Sequence, residues 1–272
     1  MVPLDYLVLR LVRRHLPRRV VRLMLEHRIV IKPGLETLAP AEAAQRFLRT
    51  IHDAGDTVVG RRILIFGYGG RFGVGSALLQ AGARHVVLLD PYAKPSRAAN
   101  LALAKSGSPS LTVSRAKAVP DPDRLTVVSA PLRAYLAGAG EPADLVLSNS
   151  VLEHVEDLAG TVADLASVTA SGGQQVHFID LRDHYFKHPF EMLCHSDKVW
   201  RKFLNPGSNL NRLRAWDYER IFCRRFPKVS VEPLGSDLAA FQAARPRIRP
   251  EFLSGDEVRD AWTRILLRAS FA

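Results

Sequence analysis

Residues 65–90 read IFGYGGRFGVGSALLQAGARHVVLLD, a glycine-rich turn between two apolar runs that closes on an acid. The runs RILIF (62–66) and HVVLL (85–89) are short and continuously apolar, as parallel strands buried on both faces are. Residues 73–81 between them predict a helix closed by Gly82. Strand, glycine turn, helix and strand form a βαβ unit, which sets an α/β class. Such a turn lets the backbone approach a ligand at the helix N-terminus. Asp90 falls where a carboxylate accepts hydrogen bonds from ribose hydroxyls.

The alternation continues downstream. Strands are expected at 124–128 (RLTVV), 143–148 (ADLVLS), 174–180 (QQVHFID), 228–234 and 262–269 (WTRILLRA). Helices are expected at about 95–106, 157–169 and 215–225. Residues 181–211, rich in aromatics, His and Asn, read as an insertion over the strand ends. Upstream, residues 40–54 predict a helix ending at Gly55. In the N-terminal stretch, Leu4, Leu7, Val8 and Leu11 share helical spacing, with Arg10, Arg13 and Arg14 mostly on the other side, and Pro17 divides the stretch into two helices. Its apolar stripe is expected to pack on the core. With seven arginines against Asp5 and Glu26 in residues 1–31, the alternative is a basic helix lying on anionic lipid. The expected organisation is a helical lid or extension over 1–54 and one domain over 55–272 carrying the 181–211 insertion.

A formal charge of +11 favours anionic partners, although an arginine-rich composition alone accounts for it, and that reading is adopted. Cys194 and Cys223 have neither metal spacing nor a disulfide framework, which fits a reduced cytoplasmic compartment. No apolar run approaches the ~20 residues of a membrane span. Arginines interrupt the N-terminus throughout, so a secretory signal is not expected.

Two enzyme classes use such a turn, one for hydride and one for methyl transfer. GGRFGVG at 69–75 is similar to the turn of NAD(P)-binding short-chain dehydrogenases. Those enzymes need a Tyr four positions before a Lys, the lysine lowering the phenol's pKa. The positions four before the eight lysines hold Arg28, Asp90, Leu101, Val113, Asp183, Cys194, Lys198 and Arg224, none a tyrosine. By contrast, GYG at 67–69, ADLVLSNSVLEHVED at 143–157 and SGGQQVHFID at 171–180 resemble, in order, motifs of class I S-adenosylmethionine-dependent methyltransferases. The resemblance covers roughly residues 55–234 and the last strand. It departs from the family pattern at Ile65, at Arg71 and at Ser129-Ala130-Pro131.

The resemblance implies a doubly wound, Rossmann-like, seven-stranded sheet, mostly parallel with the last strand antiparallel. It implies S-adenosylmethionine as cofactor and S-adenosylhomocysteine as product. Gly67, Tyr68, Gly69 and Gly70 would lie against the methionine part, Asp90 would hold the ribose, Pro91 and Tyr92 would flank the adenine, and Ala130 and Asn149 would face the cofactor. His154, Asp180 and His184 are candidate bases for an acceptor's proton. Glu153 and His154 fit a helix cap equally well. His184 and His188 share an i, i+4 spacing that can bind metal, but no third ligand stands at convincing spacing, so no metal is expected. The reaction expected is methyl transfer to oxygen or nitrogen of a small molecule or lipid precursor, in the cytoplasm, with peripheral membrane contact through residues 1–31 as a variant. Nucleic-acid methylation is the first alternative, against which the Pro-Pro-Tyr/Trp signature of base-methylating enzymes is missing. A non-catalytic module whose arginine face holds a partner is the second.

Overall fold

The computed structural model describes residues 3–15, 39–138 and 140–271. Nine strands form, β1 (Arg62–Phe66), β2 (His85–Leu89), β3 (Leu111–Ser114), β4 (Lys117–Pro120), β5 (Leu125–Val128), β6 (Ala143–Asn149), β7 (Thr169–Asp180), β8 (Lys228–Ser236) and β9 (Trp262–Ser270). Seven of them build one sheet in the order β5-β2-β1-β6-β7-β9-β8. Pairs from β5 to β7 are parallel, and β9 runs antiparallel to both β7 and β8. The doubly wound sheet with one reversed strand therefore matches the expectation, and all seven expected strands lie in it.

The continuous apolar runs are explained by helices on both faces. Side chains alternate along a strand, so each run feeds two cores. Ile63, Ile65, Val86, Leu88, Leu145 and Leu147 meet α2 (Pro40–Asp53) through Phe47 and Ile51, and α3 (Gly73–Gln80) through Leu78. Leu64, Val87, Val146, Ile265 and Leu267 meet α6 (Leu158–Val168) through Val162 and Leu165, and α7 (Ala215–Phe222) through Tyr218 and Phe222. A third core joins the insertion to the segment before β9, with Phe190, Leu193, Trp200, Phe241 and Ile248 buried together.

Some elements escaped the periodicity. The hairpin β3–β4 turns at Arg115 and Ala116, both with positive φ (47° and 57°) as a type I′ turn requires, without the Asn-Gly that would announce it. Between α3 and α6 stand α4 (Arg97–Lys105), which was expected, and α5 (Leu132–Ala137), which was not. Nor was α8 (Leu238–Ala244), whose N-cap Asp237 accepts from the Ala240 amide. β7 begins at Thr169, five residues before its apolar run.

The N-terminal helix α1 (Leu4–His15) keeps only Leu7 of its expected stripe against the protein, on the third core. Leu4, Val8, Leu11 and Val12 are exposed, whereas Arg10 and Tyr6 are buried. Arg10 pairs with the carboxylate of Asp183, which is equally buried, and Tyr6 Oη donates to the same carboxylate at 2.6 Å. Because desolvation offsets much of the attraction of a buried ion pair, the pair fixes the seat of this helix chiefly through the cost of leaving either charge unmatched. The second N-terminal helix expected after Pro17 lies outside the described residues.

A polar relay sits inside the sheet between β6 and β7. Gln175 Nε2 donates to the Leu165 carbonyl and to Thr169, which leaves Gln175 Oε1 to accept from His177 Nε2–H at 2.8 Å. His177 Nδ1 then accepts from the Ser148 hydroxyl at 2.7 Å. Burial pushes the His177 pKa down to about 3. The unfolded imidazole titrates near 6.5, so between these values the unfolded chain binds a proton that the native protein refuses. Stability is thus full above about pH 6.5 and falls by about 1.4 kcal/mol per pH unit below it from this group. Denaturant midpoints measured from about pH 7 to about pH 4.5 should fall more steeply for the native protein than for His177→Gln. Equal slopes would mean that the ring is not held neutral.

Candidate functional site

The loops at the carboxyl ends of β1, β2, β5, β6 and β7 converge where ligands bind in open α/β sheets. The turn after β1 has Gly67, Gly69 and Gly70 at φ of 84°, 65° and 84°, a conformation other residues rarely adopt. Space is equally restrictive, since a Cβ on Gly67 would stand 2.3 Å from Val151 Cγ2 and one on Gly70 would stand 2.4 Å from the Lys94 carbonyl oxygen. Asn100 on α4 ties the far side of the turn, accepting from the Phe72 amide at 3.0 Å and donating to the Gly70 carbonyl at 3.1 Å. Arg71 thus replaces a third glycine without closing the loop, because Gly70 and Gly73 take the tight positions.

Asp90 lies opposite the turn. One of its oxygens accepts from the Gly69 amide at 3.2 Å, and the other from the amides of Tyr92 and Ala93 at 2.9 Å each. A carboxylate has about four acceptor directions, so Oδ2 keeps one for an incoming hydroxyl. Tyr68 buries its ring against Phe72, and burial, with the nearby Asp90 charge, pushes its phenol up to about 12, so only its backbone lies in the turn. Tyr92 is 93% exposed and covers nothing within the protein. Pro91 and Ala130 are half-buried at the ends of β2 and β5.

Asn149 ends β6, and Ser150 after it has φ of 54° while donating its amide to the Phe178 carbonyl at 2.8 Å. A non-glycine residue held this way marks a backbone re-aimed at a strand end. Arg46 of α2 donates to Asn149 Oδ1 at 3.2 Å and lies 3.5 Å over the Phe178 ring. The helix preceding the domain therefore reaches the ligand side.

Glu153 and His154 belong to a single turn, Leu152–His154, and do not cap a helix. The cap of α6 is Asp157, which accepts from the Gly160 amide. That turn is gripped by the insertion. Asn211 donates its side-chain amide to the carbonyls of Leu152 and Val155, and its backbone amide to the Glu153 carbonyl. Asn209 donates to the His154 carbonyl, and its own carbonyl accepts from His154 Nδ1–H at 2.8 Å. His184 brings its ring centroid to 5.0 Å from that of His154. The other candidates separate from this group. Asp180 is locked in a two-bonded pair with Arg182, at 2.9 and 2.6 Å. Asp183 is consumed by Arg10 and Tyr6, and His188 faces Asp5 at 3.4 Å. Arg46 and Asn100 carry no linear signal of their place here, and the asparagines of 205–211, in the pattern NPGSNLN, signal turns but no destination.

The reversed β9 lying between β7 and β8, with the glycine turn, Asp90 and Asn149 on three adjacent strands, decides the architecture. It is a doubly wound, Rossmann-like sheet, parallel from β5 to β7 with β9 reversed between β7 and β8. No protein-family model matches the chain, and no curated protein matches it. Among solved structures, it is similar to an S-adenosylmethionine-dependent methyltransferase from Mesorhizobium loti, at 17% identity over 82% of this chain and 96% of that one, with a TM-score of 0.44. An O-methyltransferase family protein from Burkholderia thailandensis is 11% identical over 84% of this chain and 56% of that one, with a TM-score of 0.48. A Streptococcus mutans protein described as a methyltransferase of the same type is 12% identical over 78% of this chain, with a TM-score of 0.42. The chain spans 45% of the length of that last protein.

The glycine turn yields a direct test. Gly107 also has positive φ (85°) but open space around it, so Gly107→Ala should cost only conformational strain, about 1–2 kcal/mol. Gly67→Ala adds the clash with Val151 and should cost about 3 kcal/mol or more in denaturant unfolding. Equal losses would show that Val151 yields freely.

Proposed function

We propose that the protein is an S-adenosylmethionine-dependent methyltransferase acting on oxygen or nitrogen of a small molecule or lipid precursor. One observation carries the reading: the positive-φ glycine turn, the spare acceptor direction of Asp90 and the re-aimed Asn149-Ser150 step meet at the carboxyl ends of β1, β2 and β6. These features fit a nucleoside with an amino-acid tail. The backbone of residues 67–70 would take the tail, which a side chain at 67 or 70 would block. Asp90 Oδ2 would accept from a ribose hydroxyl while its other oxygen keeps the loop in shape. Once bound, the cofactor supplies an electrophilic methyl group. What the protein adds is alignment and exclusion of water. Arg46 and α2 close over Asn149, and the 181–211 insertion walls the other side.

Calorimetry should register S-adenosylmethionine and S-adenosylhomocysteine but not NADH. Asp90→Asn keeps an acceptor for the Tyr92 and Ala93 amides, yet should weaken both ligands by about 1.5–3 kcal/mol, the scale of hydrogen bonds to a charged group. Binding of NADH alone would sink the assignment, and an unchanged affinity in the variant would remove Asp90 from the ribose.

The exposed face of α1 supports the lipid variant of the acceptor. Leu4 (75%), Val8 (51%) and Val12 (53%) are exposed at i, i+4 and i+8 on one side of a chain with formal charge +11. Among the described residues, no helix is long and apolar enough to cross a membrane. The triple substitution Leu4→Glu, Val8→Glu, Val12→Glu should abolish sedimentation with anionic vesicles and leave the melting temperature unchanged. A native chain that ignores such vesicles would overturn membrane contact through α1 and with it this support for a lipid acceptor.

A further inference from the structure

We infer that Glu153, His154 and His184 form a binding site for a divalent first-row transition-metal ion on the acceptor side of the pocket. One ligand atom from each lies within 4.8 Å of the others. Two imidazoles and one carboxylate, drawn from two separate segments, compose the donor set that suits manganese, iron, cobalt or zinc and leaves coordination positions open. The supporting structure has the form a metal site needs. His154 Nδ1–H is committed to the Asn209 carbonyl, which fixes the tautomer and leaves the lone pair on Nε2. Glu153 is 2% exposed, so its carboxylate is placed by the fold and not by solvent. Its backbone is clamped on both sides by Asn211. A ligand backbone held this rigidly loses little entropy when an ion arrives.

The spacing Glu-His followed thirty residues later by a lone His gave no linear signal. β6 and β7 are neighbours, and the turns after both open on the same side of the sheet, which brings the two segments together. His188, the partner suggested by i, i+4 spacing, points instead to Asp5. The ion would stand one turn beyond Asn149, beside the region assigned to the cofactor. Its open positions would hold an oxygen-bearing acceptor, a hydroxyl before an amine, because a cation polarises the O–H bond it binds. This role rests on the methyltransferase reading, whereas binding of the ion does not. His154 and His184 then act as ligands and not as bases.

The test uses the full chain with any affinity tag removed, and Mn²⁺ and Co²⁺ alone as probes. Calorimetry should give one ion per chain. Electron paramagnetic resonance of Mn²⁺ and the visible spectrum of Co²⁺ should report bound metal, and the melting temperature should rise with added ion. His184→Asn, at the surface of the cluster, and Glu153→Gln should each weaken binding at least tenfold and erase the thermal shift, while His188→Asn should change neither. If Glu153→Gln does not fold, His184→Asn decides. No stoichiometric binding, or binding that survives His184→Asn with the His154→Asn change added, overturns the site. Metal binding without response to S-adenosylhomocysteine would keep the site and reject the methyltransferase reading. The converse pattern would reject the site alone.

Discussion

Val151 packs so closely on the backbone of Gly67 that the turn after β1 and the turn after β6 are one packed unit. Two neighbouring strands deliver their loops to the same spot, and the missing side chain at 67 is what lets both pass. From that contact the rest of the ligand side follows. Asp90 fastens the turn from β2, Asn100 fastens it from α4, and Ser150 takes a left-handed backbone so that the chain can leave β6 without striking it. A cradle built mostly from backbone has few degrees of freedom, and its shape is set before any ligand arrives.

A second layer surrounds this unit. The insertion contributes no strand and little to the two cores against the sheet. Its asparagines instead donate to the carbonyls of Leu152, His154 and Val155, the first of which also accepts from the Val155 amide within the turn. Side-chain amides suit this work because each offers two donors and an acceptor in one plane. The turn carrying Glu153 and His154 is thereby as well determined as a strand would make it. Arg214 does the same for the end of β7, with its buried guanidinium donating to the carbonyls of Leu181, Asp260 and Trp262.

Most of the sheet was legible because buried parallel strands leave continuous apolar runs and glycine turns leave spacing. Asp90 was legible for the same reason, standing at a strand end. The hairpin β3–β4 was not, because Arg115 and Ala116 adopt a conformation their side chains disfavour. Nor was the orientation of α1. Periodicity ranks side chains by polarity, and Arg10 is polar, yet it is buried because Asp183 awaits it 173 residues away. The meeting of His184 with Glu153 is invisible for a related reason, since it depends on β6 and β7 being adjacent. Pairings across the sheet are geometry, and the one-dimensional pattern records only the two ends.

The Arg10–Asp183 pair ties the N-terminal helix to the first residues of the insertion. Each charge is tolerated in its dry surroundings only while the other is present, with Tyr6 and the Trp200 ring filling the remaining space. A partly withdrawn helix would leave two naked charges in contact with hydrocarbon, which is worse than either full seating or full release into water. Full seating of α1 is therefore favoured over any partly withdrawn position. The loop 181–188 carries both Asp183 and His184, so the residue that seats the helix and a residue of the Glu153–His154–His184 cluster are neighbours in the chain.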